Sequence, residues 1–520
     1  MSQTLDPKAP VPGEGGGGDE SDLASFGYKQ ELHRSLGFFS SFSAAFSYIS
    51  PSTGIFTLFS LGLITIGGVF IWSWPIVALG QFVIALNFAE ISSHYPLAGS
   101  VFQWTKYLAN RHFAWFTGWI YLVAGILTTT AVLVTFPLAF VPAMNELGWN
   151  LSGSLSEQRW IALILLVVVL VLNIFSVKLV ALINNTGVLF EILGMVVFAF
   201  ILIVLHHHQS LAVVTNSGGR PVNFGTFFAA MFMSLFVIYG FDTASTLAEE
   251  TNQPRVMAPR AVLTSVGGAF VIGGFFLLAL LLAIPNMKAA VAAGDTPVTI
   301  IESSFSKPLA TAYLLVVSAA ILVCCMCIMT ATIRLCFGMA RDNNLPCSAQ
   351  ISRVNTSLHT PVVACVVVGV LAAVPMIQYA GAAYVAIAAT GMIYLSYFLG
   401  NIASLGARLR GWPRVKAPFS LGKKGIAINI VGLAYGGAMI VNFAWPRAAS
   451  NPTLNQTAPL PTAAAPHPGP LLNFHIGFLD GIPILYTVLG AVLVLGIIYY
   501  PFQLRKKLPP VVIPPETGAP

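Results

Sequence analysis

Apolar residues fill this chain in runs long enough to cross a bilayer, and the polar positions cluster between those runs. Stretches near the ~20 residues needed to traverse hydrocarbon predict twelve helices. Five cover about 36–63, 66–92, 113–141, 158–178 and 180–206. Five more cover about 223–249, 261–285, 309–340, 361–379 and 382–407, and two trail at about 425–446 and 480–503. Two runs are interrupted. In the sixth, an apolar helix breaks at Tyr239-Gly240-Phe241-Asp242, resumes, and ends in Glu249-Glu250-Thr251-Asn252-Gln253-Pro254-Arg255. A carboxylate inside a membrane-grade segment is expensive and marks a candidate functional site. Unwound backbone beside it is tolerated only where it lines a cavity. The first run carries its own interruption, Ser50-Pro51-Ser52-Thr53-Gly54-Ile55, where proline removes a donor and crowds the preceding turn.

Paired interruptions in corresponding positions of two halves point to a transporter binding site. If spans 1–5 and 6–10 are inverted repeats, the two breaks meet at the bilayer midplane. The half-helix predicted to begin after Thr53 then turns free N–H groups and its positive end towards a ligand carboxylate. The half-helix ending near Tyr239 exposes carbonyls suited to an ammonium. An amino acid satisfies both ends at once.

Composition agrees with this class. The chain has 520 residues, 56% hydrophobic and 8% charged, with mean hydropathy +0.81, against about 25% charged in soluble domains. It reads as an all-α integral membrane protein. The net charge of +7 reflects orientation and not nucleic-acid binding. With the N-terminus inside, only Arg159, Arg220, Lys288, Lys307 and Arg447 fall outside, leaving 20 of the 25 Lys and Arg within. That bias predicts cytoplasmic termini, and the plasma membrane is the expected location. The expected organisation is a disordered tail at 1–30, a transmembrane domain at 31–503, and a Pro-rich tail at 504–520. Within the domain, repeat 1 covers about 36–206, repeat 2 about 223–407, and two extra helices about 425–503. The loop at about 447–478 is expected to be extended. No short apolar core with a cleavage site precedes the first span, so no removable leader is expected.

Other polar features carry less. Cys324, Cys325 and Cys327 lie in an apolar run with no ligand-spaced partners and read as small packing residues. Cys336, Cys347 and Cys365 complete the six, and neither a metal nor a disulfide framework is expected. His206-His207-His208 reads as interfacial, and Trp72, Trp74, Trp104, Trp115 and Trp119 as interface anchors. No phosphate-binding loop or enzyme constellation emerges.

Several stretches together bring a family into view. They are Ser52-Thr53-Gly54-Ile55, the run from Ala89-Glu90-Ile91 through Gly99-Ser100, and Gly240-Phe241-Asp242 leading to Ala248-Glu249-Glu250-Thr251 and Ala258-Pro259-Arg260-Ala261. Ala340-Arg341-Asp342, Leu345-Pro346, Arg353-Val354-Asn355 and Thr360-Pro361 follow. The chain resembles the amino acid–polyamine–organocation permeases, and within them the amino acid/choline (GABA-type) branch, from about residue 30 to 420. The resemblance implies twelve helices, a five-plus-five inverted repeat with broken helices 1 and 6, alternating access and secondary active transport. It implies that Ser52, Thr53 and Gly54 hold a substrate carboxylate. Backbone at Phe236, Ile238, Tyr239 and the Gly240 break would receive the amine, with Phe236 as lid and Asp242 as the acid beyond it. Pro51-Ser52-Thr53-Gly54 replaces the commoner Gly-Ser-Gly run and leaves less room for the ligand.

Permeases of this kind often place a charged residue near Glu191. A glutamate there could carry the coupling proton, or serve as a structural carboxylate. Protons are the expected coupling ion, with sodium as the alternative; no other cofactor is implied. Glu90, with His94, suits a cap or an inner gate. Glu249, Glu250, Arg255, Arg341 and Asp342 suit a gate of ion pairs or solvated loop charges. The partners implied are an amino acid or organic cation and the lipid bilayer, with monomer and homodimer both open. Exchange, substrate sensing without transport, and a channel are the alternative functions.

Overall fold

The computed structural model describes residues 19–32, 34–175, 177–377, 382–445, 484–505 and 512. Residues 1–18, the loop at about 447–478 and nearly all of the tail beyond Arg505 lie outside the described residues. Among the described residues every regular element is helical. Helix α1 (Asp19–Ser25) precedes α2 (Phe38–Ile49) and α3 (Pro51–Ile66), the two halves of the first apolar run. After a 3-10 turn at Gly67–Trp72 the chain returns as α4 (Ser73–His94), then α5 (Ser100–Leu108), α6 (Arg111–Glu146), α7 (Leu155–Phe175) and α8 (Val177–Leu205). The second interrupted run is α9 (Phe224–Ala230), α10 (Phe232–Val237) and α11 (Thr243–Thr246). Next come α12 (Pro254–Ala283), α13 (Met287–Ala293), α14 (Pro297–Ser304), α15 (Lys307–Arg341) and α16 (Ser348–Ile351). Helices α17 (Val362–Ala373), α18 (Ala382–Leu409), α19 (Gly425–Ala444) and α20 (Ile484–Leu504) complete the fold.

Nine segments among the described residues are long and apolar enough to cross a membrane. The first, Phe38–His94, holds both halves of the broken run and the returning α4. Two shorter apolar stretches, Phe224–Val237 and Val362–Met376, accompany them. The protein is therefore a multi-pass membrane protein. Helix α15, at 35 residues and 1.5 Å per residue, exceeds a hydrocarbon core of about 30 Å, so its charged end at Arg341 stands clear of the lipid region.

Burial sorts the helices into two shells. The apolar windows of α6 and α15 are 83% and 78% buried, whereas those of α7 and of Leu179–Leu205 are each 33% buried and that of Tyr486–Gln503 only 17%. Helix α6 packs against both α15 and α18, and α3 packs against α10. The broken segments thus sit inside a wall of helices whose outer faces are apolar and exposed, as lipid contact requires.

Two expectations are corrected. Residues 19–30, assigned by their polarity to a disordered tail, are folded: Leu23 and Phe26 are buried, and the Phe26 ring packs edge-on against Tyr107. Of the five tryptophans taken as interface anchors, Trp74, Trp104 and Trp115 are buried. Their indole N–H groups donate to the carbonyls of Phe270, Tyr95 and Asn344. A buried indole finds a fixed acceptor inside the bundle as readily as at a headgroup. Trp72 remains exposed.

Candidate functional site

The first break is a single residue. Ser50 adopts a left-handed conformation (φ 34°, ψ 82°), and its hydroxyl accepts from the Thr53 N–H, capping α3. The sequence pattern placed the start of this half-helix after Thr53; it begins instead at Pro51. Proline at the first helical position has its φ preset and lacks an N–H that would be orphaned there anyway. Ser52, Thr53 and Gly54 therefore form the first turn, with the Gly54 N–H already bonded to Ser50 O at 3.1 Å.

The second break is longer. Helix α10 ends as the Ile238 N–H reaches Ser234 O (3.1 Å), and Tyr239, Gly240, Phe241 and Asp242 precede α11. Gly240 has φ 87°, and a Cβ there would lie 1.8 Å from Cδ1 of Tyr48. A Cβ on Gly54 matters in the same way, because it already faces Val237 Cγ2 at 2.4 Å. Glycine at these two positions lets the broken segments touch. Phe236, buried, and Tyr48 each place a ring 6.1 Å from that of Tyr239. The structure thus gathers Ser52, Thr53, Gly54, Phe236, Ile238, Tyr239 and Gly240 around one junction.

Two acids flank this junction, and both are buried. Glu191 of α8 accepts at Oε1 from the hydroxyls of Ser50 (2.7 Å) and Ser52 (2.6 Å) and, at 3.4 Å, from the Ser52 N–H. A carboxylate of the protein itself occupies the α3 N-terminus, where a ligand carboxylate was expected. Asp242 is enclosed differently. Its Oδ2 accepts from the Ser100 hydroxyl (2.6 Å) and the Tyr121 hydroxyl, and its Oδ1 accepts from the Tyr397 hydroxyl. Tyr397 also receives the Gly240 N–H at 2.9 Å. Asp242 thereby ties the second break to α5, α6 and α18.

The amino acid permease family model matches residues 36–463, which contain both breaks and both acids. The chain belongs to the amino acid permease family. It is 28% identical over 400 residues to a putative amino acid/polyamine transporter of Macrophomina phaseolina, covering 73% of this chain and 87% of the relative. It is 27% identical over 473 residues to the amino-acid permease BAT1 of Arabidopsis thaliana, covering 84% and 90%. It is 26% identical over 357 residues to the branched-chain amino acid permease BcaP of Bacillus subtilis, covering 66% and 74%. The function class is amino acid transport across a membrane.

Among the described residues, the permease's four other buried acids, Glu90, Glu249, Glu250 and Asp342, lie together on the face from which α2 starts, and each has a cation. Glu249 pairs with Arg341 through two bonds (2.8 and 2.9 Å) and accepts from the Ala98 N–H. Glu250 pairs with Arg334 of α15 at 2.6 Å. Asp342 takes Lys106 of α5 (2.6 Å) and the Tyr28 hydroxyl (2.7 Å). Glu90 pairs with Arg408 and accepts from the Leu421 N–H (2.8 Å). Of the two readings left open for the loop charges, the buried ion pairs are what the structure contains. The N-terminal segment joins them: the Arg341 guanidinium lies 4.0 Å from the Tyr28 ring centroid, and Asp22 pairs with Arg255 at 2.8 Å.

Sequence reasoning missed Arg334, Lys106, Arg408 and Tyr28 as partners, and Ser100, Tyr121 and Tyr397 as the cage of Asp242. Arg334 had a signal, being a lone cation inside an otherwise apolar run. The tyrosines and Ser100 had none, because isolated hydroxyls in apolar helices are common.

Proposed function

We propose that this permease is a secondary active transporter of an amino acid or related amine such as GABA, working by alternating access and coupled to protons through Glu191. The observation that carries the reading is Glu191 at the α3 N-terminus, between the hydroxyls of Ser50 and Ser52. A carboxyl held by neutral donors keeps its place with or without a proton, whereas one locked to arginine does not. The junction of the two breaks is the proposed ligand site: the open backbone after α10 faces an amine, and the first turn of α3, whose N-terminus Glu191 fills in this structure, takes a ligand carboxylate once that contact is released. In this reading twelve spans form a five-plus-five inverted repeat with two trailing helices. The breaks of α2–α3 and α10–α11 are the repeat-related pair, and the positive-inside bias puts both termini in the cytoplasm of a plasma-membrane protein.

Alternating access then has a physical form. The ion pairs Glu249–Arg341, Glu250–Arg334, Lys106–Asp342 and Glu90–Arg408 close the cytoplasmic face, and release of substrate inward requires them to part. Uptake into proteoliposomes tests the reading, with a competition panel of amino acids, GABA, choline and polyamines. An imposed pH gradient should drive accumulation in the native protein. Glu191→Gln should retain downhill exchange and lose pH-driven accumulation. Full accumulation by Glu191→Gln would end the proton role, and binding without any uptake would end the transporter reading.

A further inference from the structure

Helix α18 carries a buried polar stripe, and its middle is accounted for by neither Asp242 nor the ion pairs. Tyr394, Tyr397, Asn401, Ser404 and Arg408 recur at threes and fours and are all buried, so they line one face of the helix. Helix α18 packs against both α4 and α19, and three carboxamides from the three helices converge on this face. Asn401 Oδ1 accepts from Asn87 Nδ2 of α4 at 3.1 Å and from Asn429 Nδ2 of α19 at 3.2 Å. Asn429 Nδ2 also reaches the Asn401 carbonyl at 3.2 Å. Seven residues along, Arg408 meets Glu90 of the same α4. Helix α18 is thus pinned to α4 at two levels, about 10 Å apart.

The amide cluster is an expensive way to join helices. Asn87 Oδ1, Asn429 Oδ1 and the Ser404 hydroxyl have no hydrogen-bond partner among the described residues, and a buried polar group left open needs a reason. Apolar side chains would pack these faces without that cost. What they lack is direction. A buried amide specifies register where apolar packing tolerates several, and interhelical amide bonds also act as glue in lipid. Here the three amides fix the rotation and depth of α18 against two neighbours.

What that register serves lies one turn away. Asn401 Nδ2 donates to the Tyr397 carbonyl at 2.9 Å. The Tyr397 ring stands edge-on to Phe88, the chain neighbour of Asn87, with centroids 5.0 Å apart, and lies 5.3 Å from the ring of Phe241 in the second break. Its hydroxyl receives the Gly240 N–H and donates to Asp242. A tyrosine hydroxyl stands far from its helix axis, so a small rotation of α18 carries it away from both partners. We infer that Asn401, held between Asn87 and Asn429, is a positioning residue for the second break: it sets the turn of α18 that presents Tyr397 to Gly240 and Asp242. Helix α19, which trails the proposed five-plus-five core, enters the working part of the protein through Asn429. The consequence for transport rests on the breaks being the ligand site, as proposed above.

Hydrogen–deuterium exchange and uptake, both on the full chain in lipid, test the role. Tyr397→Phe removes the acceptor of the Gly240 N–H, and the peptide covering Gly240 should exchange about fivefold faster, the size of one lost hydrogen bond. Asn429→Leu keeps a branched side chain but loses the amide, and should speed the same peptide by a similar factor. The double variant should be no faster than Tyr397→Phe alone, since one residue acts through the other. Asn429→Ala, which removes the amide without adding bulk, is measured alongside, and gel filtration with melting curves establishes folding. Native exchange at Gly240 in the folded Asn429 variants, or effects that multiply in the double variant, overturns the positioning role. In proteoliposomes given a radiolabelled amino-acid mixture, uptake should fall in Tyr397→Phe and Asn429→Leu alike, and no further in the double variant. Uptake lost in Tyr397→Phe but unchanged in Asn429→Leu overturns the role and leaves the ligand site standing. Faster exchange in both variants with native uptake upholds the positioning and removes the second break from the ligand site.

Discussion

Two groups of buried acids in this permease are treated in opposite ways. Glu191 and Asp242, beside the helix breaks, are held by hydroxyls. Glu90, Glu249, Glu250 and Asp342, on the face where α2 begins, are held by Arg or Lys. A buried ion pair fixes both partners in their charged forms, since removing one leaves the other uncompensated. Hydroxyl donors impose no such lock. The first arrangement suits groups that exchange a proton or a ligand; the second suits a closure that forms or parts as a unit.

The largest effect should come from breaking a locked pair. Glu250→Ala strands Arg334, itself 2% exposed, and should lower stability by about 3–5 kcal/mol, read as a fall in melting temperature in detergent. The double variant Glu250→Leu/Arg334→Met should recover most of that loss; no recovery would mean the pair does more than neutralise itself. Asp242→Asn should cost less, about 1.5–3 kcal/mol, the scale of hydrogen bonds to a charged group. One amide face must then oppose hydroxyls that have been donating, so uptake should fall while the protein still purifies folded. Normal uptake would show that the cage of Ser100, Tyr121 and Tyr397 has no part in transport. Gly240→Ala introduces a Cβ 1.8 Å from Tyr48 at φ 87°. It should cost about 1–3 kcal/mol and abolish uptake by forcing the breaks apart, checked by transport assay and melting curve together. The smallest effect belongs to the partly exposed pair of Asp22 and Arg255. Asp22→Ala should change stability by no more than about 1 kcal/mol, and a larger fall in melting temperature would make the N-terminal segment a structural part of the closed face.

How much of this was legible beforehand varies by residue. The breaks at Pro51 and Gly240 were visible because proline and glycine alter backbone options wherever they stand. Asp242, Glu191 and Glu249 were visible because a carboxylate in or beside an apolar run is improbable without a role. The start of α3 was placed three residues late, since a helix N-terminus depends on which N–H groups find acceptors, and Ser50 supplies one from its own side chain. Trp74, Trp104 and Trp115 look like interface anchors in the sequence because an indole is equally suited to a headgroup or to a buried carbonyl. Residues 19–30 read as a tail because their polarity gives no hint that Leu23 and Phe26 are buried against the bundle.

The sequence by itself determined a helical membrane protein, two broken spans, and a short set of acids that had to be explained. These follow from local properties: apolar length, proline and glycine chemistry, and the cost of charge in hydrocarbon. Only the tertiary structure decided which acid meets a cation and which meets hydroxyls. Arg334 reaches Glu250 across 84 residues, and Ser50 reaches Glu191 across 141. No local pattern encodes such pairings, because they depend on which helix faces come together. Whether a buried carboxyl is locked or free therefore becomes readable only once α2, α8 and α15 are packed side by side.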